Sequence, residues 1–318
     1  MRRREFLVST PAALASTAPA APFEKPKDYH KEPFRRMVIL GESTVEGGPW
    51  VPVMPYDRYA DVLMRLINAC QQRPIEYFNK GIGANAISPR SPGYANSRKP
   101  SAMERYRKDV IEQSPDLFLL CYGLNDMRAG MPLADFREDM ATILGDVRKA
   151  CDPMIVLTTV YYMTGWKSHP PYDKGSVALT LEYNDCIRTL AKEFDGVVAD
   201  VWDAEGGADW LINPDGVHAN KVGNLVVGHR IFEAIAKHAS GLAAWTHTLD
   251  ADTKWTANAT KARALAGDPF RKTCKNLNSG FCGDTGWRDT GGPRGRHPTW
   301  ERRRWPGGRL PGPSGVFL

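Results

Sequence analysis

The sequence has few of the residues that build metal and redox sites. It contains six cysteines in 318 residues, no CxxC pair and no HExxH pattern. His229, His238 and His247 also lack the short spacing that brings two imidazoles onto one metal ion. We therefore expect neither a metal nor a cofactor.

The cysteines fall into two groups. Four lie in predicted helices and a strand, where buried free thiols are the simpler interpretation. The other two, Cys274 and Cys282, bracket a polar segment that a disulfide would close in an oxidising compartment, and their pairing stays open. The first group is Cys70, Cys121, Cys151 and Cys186.

Long hydrophobic runs and a uniform excess of one charge are also missing. No segment approaches the ~18 continuous apolar residues of a membrane span, so we expect no stable membrane insertion. The net charge of +6 is concentrated at the ends: residues 286–318 hold seven arginines against Asp289 and Glu301. The body of the chain is nearly neutral, which argues against a nucleic-acid-binding surface.

The N-terminus has the features of an export signal. Three arginines at positions 2–4 precede the mild, small-residue run Val8 to Ala18, and Ala18-Pro19-Ala20 provides a small-x-small cleavage pattern before Ala21. We expect residues 1–21 to be a twin-arginine-like signal, which would direct the protein to the periplasm or the exterior. The alternative is a basic arm without a targeting role.

Between residues 34 and 240, short apolar runs alternate with amphipathic stretches. Apolar runs separated by crossover helices indicate a parallel sheet covered on both faces. We expect an α/β fold of the flavodoxin-like, three-layer α/β/α kind, with five parallel strands. The predicted strands are 36–40, 75–79, 116–122, 154–161 and 197–202, and the predicted helices are 57–71, 102–113, 133–150, 178–194 and 221–238.

The periodic pattern decays after residue 240. Residues 241–282 keep some helical character and are expected to form a partly helical extension. Residues 283–318 are rich in glycine, proline and arginine. Such a segment buries too little apolar surface to offset its conformational entropy, so we expect a disordered tail.

Polar residues with complementary chemistry follow several predicted strands. Ser43 comes directly after the first strand, where its side chain can face a crevice at the sheet edge. A serine hydroxyl needs a hydrogen-bonded base that a third group orients. His218 and Asp215 supply both from one turn, ahead of a helix that Asn220 can cap. This combination indicates nucleophilic catalysis.

The same edge offers donors for an oxyanion. Asn125 lies just past the third strand, and the small-residue loop 79–85 after the second strand can bring a backbone N–H close. Preorganised donors of this kind stabilise the tetrahedral intermediate of acyl transfer.

Four segments in order make the chain resemble the SGNH hydrolases, the GDSL-type esterases and lipases. They are 41–43 (Gly-Glu-Ser), 79–84 (Asn-Lys-Gly-Ile-Gly-Ala), 123–126 (Gly-Leu-Asn-Asp) and 215–218 (Asp-Gly-Val-His). The resemblance implies that Ser43 is the nucleophile, His218 the base and Asp215 its orienting partner. It also implies an oxyanion hole formed by Ser43, Ala84 and Asn125.

Two positions depart from the family pattern. Glu42 replaces the usual aspartate, and we expect the extra methylene to reposition the first loop. Ala84 replaces a glycine, which matters only if the backbone there has a positive φ. If the register shifts by one residue, Gly83 takes the role of Ala84.

The residues and the resemblance together predict a serine esterase that deacetylates an acetylated carbohydrate. A small-molecule or polysaccharide ester is the expected partner, and the oligomeric state is not predicted. A catalytically silent carbohydrate-binding protein and a short-chain acyl-ester or lysophospholipid hydrolase are the alternatives. Loop aromatics either stack on sugar rings or anchor their loops. They are Trp50, Tyr94, Trp166 and Trp210.

A third alternative starts from the loop after the second strand. Residues 81–86 fit the G-x-G-x-x-A pattern of dinucleotide binding. The prolines at 89 and 92 disfavour the helix that would receive a pyrophosphate, and the loop follows the second strand instead of the first.

Overall fold

The computed structural model describes residues 25–48 and 53–243. The predicted export signal, Trp50, the Cys274/Cys282 pair and the predicted tail lie outside the described residues. The predicted limits of the α/β domain, 34–240, and of the partly helical extension, 241–282, stay predictions. The free cysteines at positions 70, 121, 151 and 186 are within the described part of the chain.

Five strands form one sheet. They are β1 (Arg36–Gly41), β2 (Glu76–Gly81), β3 (Leu117–Cys121), β4 (Met154–Thr158) and β5 (Val197–Ala199). Their order across the sheet is β2-β1-β3-β4-β5, and every neighbouring pair is parallel. This is the flavodoxin-like order, with the topological switch point between β1 and β3. The predicted fold class is confirmed.

Helices cover the sheet on both faces. The described helices are α1 (Ser43–Glu46), α2 (Tyr59–Cys70), α3 (Tyr94–Ser97), α4 (Ala102–Asp109), α5 (Leu124–Ala129), α6 (Leu133–Cys151), α7 (Val177–Glu193), α8 (Val201–Glu205) and α9 (Lys221–Ala236). Helix α2 packs on α9, whereas α6 packs on α4 and α7. Helices of residues 25–48 and 53–243 include none that is long and apolar enough to cross a bilayer.

The core explains why the central strands read as continuous apolar runs. Every residue of β3 and β4 is buried, because helices pack on both faces of the sheet. The edge strand β2 is only partly buried and carries polar residues. Central strands, which are buried on two faces, are therefore continuously apolar in sequence, whereas the edge strand contains polar residues.

Two predicted strands are too long. Strand β4 ends at Thr158 instead of Tyr161, because the Val160 N–H leaves the ladder and donates to Asn184 Oδ1 at 2.7 Å. Strand β5 ends at Ala199, because Asp200 caps α8 by accepting from the Asp203 N–H. The predicted helix 102–113 is also divided, with α4 ending at Asp109 and a 3-10 turn following at Ile111–Gln113.

The contact between α2 and α9 depends on a glycine. A Cβ at Gly228 would lie 2.8 Å from Val62 Cγ1 and 3.1 Å from the Tyr59 carbonyl oxygen. A Cβ at Gly145, inside α6, would meet only Phe194 Cε1 at 3.6 Å. An alanine at Gly145 therefore tests helix propensity alone, whereas an alanine at Gly228 also tests the close packing of α2 on α9.

We predict opposite effects for alanine at these two glycines. Gly145→Ala should raise the free energy of unfolding by up to about 1 kcal/mol, because alanine favours the helix. Gly228→Ala should lower it by about 1 to 3 kcal/mol, because the methyl group overpacks the helix interface. Urea denaturation measures both. Equal stabilisation by the two substitutions would show that α2 and α9 are not held at this distance.

Candidate active site

Four chain segments meet at the carboxyl edge of the sheet. Ser43 begins α1 directly after β1, Ala84 follows β2, Asn125 lies in α5 after β3, and the turn with Asp215 and His218 precedes α9. All five residues line one open crevice of about 640 Å³. The parallel sheet therefore brings the predicted site residues together.

The serine, histidine and aspartate form a hydrogen-bonded chain. Ser43 Oγ lies 2.8 Å from His218 Nε2, and His218 Nδ1 lies 2.7 Å from Asp215 Oδ2. A carboxylate only accepts, so Nδ1 carries the proton of the neutral imidazole and Nε2 is left to accept from the hydroxyl. This is the geometry in which a hydroxyl can lose its proton to an imidazole.

Asp215 is held as a carboxylate. Burial would raise its pKa, but hydrogen bonds from the His218 ring, the His218 N–H and the Val217 N–H lower the pKa of Asp215 to about 2. The two backbone donors reach Oδ1 at 2.8 and 3.0 Å, which leaves Oδ2 for the imidazole. The aspartate thus orients the ring as a fixed negative charge.

The turn that carries this pair is fixed by a neighbouring loop. The Gly216 carbonyl accepts from the N–H groups of Thr164 and Gly165 at 2.9 and 2.6 Å. Gly216 has φ +74°, and a Cβ there would lie 2.9 Å from the Gly165 nitrogen. As predicted, Asn220 caps α9, because its side chain accepts from the N–H groups of Val222 and Gly223.

Glu42 is buried directly before the proposed nucleophile. Its buried carboxylate accepts three backbone N–H bonds, from Gly123 at 2.8 Å and Leu124 at 3.0 Å through Oε1 and from Asn125 at 2.9 Å through Oε2. Burial, together with the nearby Asp126, raises the pKa of Glu42, although these N–H bonds oppose the rise. The longer side chain therefore ties the nucleophile segment to the start of α5.

The donors proposed for an oxyanion are available. Asn125 uses one amide hydrogen on the Asn85 carbonyl at 3.1 Å and keeps a second. No described residue accepts a hydrogen bond from the Ala84 N–H. Ser43 is the first residue of α1, so its N–H has no acceptor within that helix.

Ala84 adopts the conformation that a glycine would favour. Its φ is +54°, in the left-handed region. The substitution for glycine is therefore strained, because a Cβ crowds the backbone there. Gly83 also lines the crevice.

Sequence reasoning missed several residues of the crevice. Arg128, Ser168, His169 and Tyr172 also line it. The only signal for Arg128 was its position one helical turn after Asn125. The others lie on long connections without a periodic pattern.

The predicted loop aromatics that the structure describes lie outside the crevice. Trp166 packs near Tyr162 and Trp202, at ring-centroid distances of 5.8 and 6.1 Å. Trp210 is 78% exposed, and the Tyr94 hydroxyl donates to Glu104. None of the predicted sugar-stacking residues that the structure describes lines the crevice.

The dinucleotide alternative lacks its helix. Residues 82–93 form turns and bends, and the helix that follows, α3, has only four residues. The next helix in the chain begins only at Tyr94, so no helix N-terminus directly follows residues 81–86, as a dinucleotide-binding motif would require.

The Glu42 contacts predict a specific loss. In Glu42→Gln, the amide nitrogen cannot accept from the Asn125 N–H, so a buried donor loses its partner. We expect the free energy of unfolding to fall by about 1 to 3 kcal/mol. Glu46→Gln, at the end of the adjoining helix α1, is the control, since no described residue donates to buried Glu46 Oε2. Equal midpoints of chemical denaturation for the two variants would contradict the assigned role.

The Ala84 backbone predicts a gain. Ala84→Gly removes the Cβ that opposes a positive φ. We expect the free energy of unfolding to rise by about 0.5 to 1 kcal/mol, which a higher melting temperature would report. Ala150→Gly, at an exposed position near the end of α6, should instead destabilise by up to about 1 kcal/mol. A loss of stability in both variants would show that Ala84 is not strained.

The chain is similar in sequence to known proteins. Residues 39–226 match the GDSL-like lipase/acylhydrolase family. The uncharacterized lipoprotein YqeF of Bacillus subtilis strain 168 is 24% identical over 226 residues, which is 61% of this chain and 86% of YqeF.

Two solved structures share the fold. A lipase/acylhydrolase from Enterococcus faecalis has a TM-score of 0.50 at 20% identity, over 63% of this chain and 95% of its own. A variant of the acetyl xylan esterase Axe2 from Geobacillus stearothermophilus has a TM-score of 0.50 at 17% identity, over 66% and 98%. The family match covers more than half of the sequence, and the chain belongs to the GDSL-like lipase/acylhydrolase family.

Proposed function

We propose that this protein is an exported serine esterase that removes acetyl groups from a carbohydrate. The observation that carries the proposal is the hydrogen-bonded chain from Ser43 through His218 to Asp215, which opens onto a crevice. Family membership supports ester hydrolysis as the reaction class. The serine mechanism and the substrate are the proposed part.

The reaction would proceed in two halves. Ser43 Oγ attacks the ester carbonyl carbon while its proton passes to His218 Nε2, and the oxyanion accepts from the N–H groups of Ser43 and Ala84 and from the Asn125 amide. The ester C–O bond then breaks, and the alcohol leaves with the proton from Nε2. A water molecule attacks the acetyl-serine in the same way, which releases acetate and restores Ser43.

The crevice favours a small acyl group. Its apolar lining consists of small side chains such as Ala84 and Val217, together with the ring of Tyr172. A long acyl chain would need an extended apolar wall to leave water. Among proteins of this fold, Axe2 is an acetyl xylan esterase, which supports a sugar acetate as the substrate.

Export rests on the sequence and on one relative. The N-terminal arginines and small-residue run fit a twin-arginine-like signal, and the relative YqeF is a lipoprotein. An exported enzyme would meet polysaccharide esters, whereas a lysophospholipid would require the apolar wall that the described lining does not supply.

Covalent labelling tests the nucleophile. A fluorophosphonate should label the wild type at Ser43, because the probe requires an activated hydroxyl. Ser43→Ala and His218→Ala should not be labelled and should lose at least about 10⁴-fold in kcat on nitrophenyl acetate. Ser240→Ala is the control, since this hydroxyl bonds to Asp28 at a distant surface. Mass spectrometry and acetate release from acetylated xylan provide the readouts.

Each negative result has a distinct meaning. A folded wild type that neither reacts with the probe nor releases acetate, but binds xylan, would be a silent carbohydrate-binding protein. Faster turnover of long acyl esters than of acetate esters would refute the deacetylase assignment while retaining the serine mechanism.

A further inference from the structure

Arg128 is a buried cation with no acidic group in direct contact among the described residues, although the charges of Glu42 and Asp215 act on it from a longer distance. It is 5% exposed, and its single side-chain hydrogen bond among the described residues runs from Nη2 to Ser168 Oγ at 2.8 Å. Its Nε is buried and has no acceptor there. Burial lowers the pKa of Arg128, yet a guanidinium stays charged at neutral pH.

Other arginines show that this fold normally supplies partners. Arg105 is 7% exposed, and it pairs with Asp109 and donates to the Tyr122 hydroxyl. Arg90 forms ion pairs with three acidic residues of α6. Leaving a buried charge unpaired is costly, so the exception at Arg128 calls for an acceptor from outside the described chain.

The position of Arg128 is fixed beside the reacting groups. It lies one helical turn after Asn125 in α5 and lines the same crevice as Ser43. Its guanidinium carbon lies 5.5 Å from the centre of the Tyr172 ring, and its carbonyl accepts from the Lys174 N–H. The Tyr172 ring therefore contacts the side chain of Arg128, and the Lys174 N–H holds its backbone.

The charges around the crevice favour an anion. Lys99, an exposed cation, also lines it. The acidic residue of the lining is Asp215, which is hydrogen-bonded to His218. Arg128 and Lys99 thus face one carboxylate that is already hydrogen-bonded.

We propose that Arg128, with Lys99, binds a carboxylate on the alcohol part of the substrate, so that the enzyme deacetylates acidic, uronate-type sugars. This inference rests on the proposed function and narrows its substrate. A carboxylate matches the planar guanidinium edge with two parallel hydrogen bonds. A phosphate dianion would be repelled by the Asp215 carboxylate more strongly than a carboxylate with one negative charge. A monoanionic carboxylate therefore suits the site better.

Two substrates that differ in one group test the proposal. Acetylated methyl glucuronoside and acetylated methyl glucoside differ only in a carboxylate against a hydroxymethyl group at C6. We expect the wild type to prefer the uronate by about 10- to 100-fold in kcat/KM, as a charge-assisted pair would give. Arg128→Gln should bring that ratio near one, mainly through KM, and Arg128→Lys should retain part of it.

The control is an arginine of another surface. Arg137 pairs with Glu193 away from the crevice, and Arg137→Gln should keep both the ratio and the activity. Equal turnover of the two sugars by the wild type would overturn the carboxylate site, yet Ser43-dependent acetate release would leave the proposed function standing. Equal losses on both sugars in Arg128→Gln would make the residue a structural support only.

A binding measurement tests the carboxylate site even if the protein hydrolyses neither ester. Calorimetry with Ser43→Ala should detect methyl glucuronoside but not methyl glucoside, and added salt should weaken the binding. Absence of that difference would overturn the inference without reference to catalysis. Tighter binding of glucose 6-phosphate than of the uronate would also overturn it, in favour of a phosphate site.

Discussion

One buried carboxylate sets the geometry on which the candidate site depends. Glu42 precedes the proposed nucleophile and accepts the first three N–H groups around the start of α5. Such groups have no acceptor within their own helix. The glutamate therefore accepts from donors that would otherwise be buried without a hydrogen bond. It also fixes the separation of Ser43 and Asn125, which belong to different strand ends. A raised pKa is the electrostatic consequence of placing that carboxyl in the interior.

The parallel sheet does the remaining assembly. Strands β1, β2 and β3 end at one edge, and the α9 turn closes over it with Asp215 and His218. Each group is then oriented locally: Asp215 by backbone donors, the Gly216 turn by the 164–165 loop, and the Asn125 amide by the Asn85 carbonyl. Preorganisation of this kind is what lets fixed dipoles stabilise a developing charge.

The sequence predicted the long elements but not the local supports of the proposed site. Continuous apolar runs and helical periodicity located five strands and five long helices, and Asn220 was recognised as a cap. Short helices such as α1 and α5 were missed, because four to six residues are too few to show a period. The partners of Glu42 are backbone groups 81 to 83 residues away, and no side-chain pattern encodes them. The positive φ of Ala84 likewise follows from the turn and not from residue type.

Helix α5 joins the proposed chemistry to the proposed recognition. A helix of six residues has little stability of its own, so its position depends on what holds its ends. Glu42 holds the first turn, and Gly130, at φ +76°, ends the helix by donating to the Asp126 and Met127 carbonyls. Asn125 and Arg128 lie between these two points, one turn apart. A shift of the Glu42 carboxylate would therefore move Asn125, the proposed oxyanion donor, and the buried guanidinium of Arg128 together. The proposed reaction rate and the proposed preference for a charged substrate would then change together.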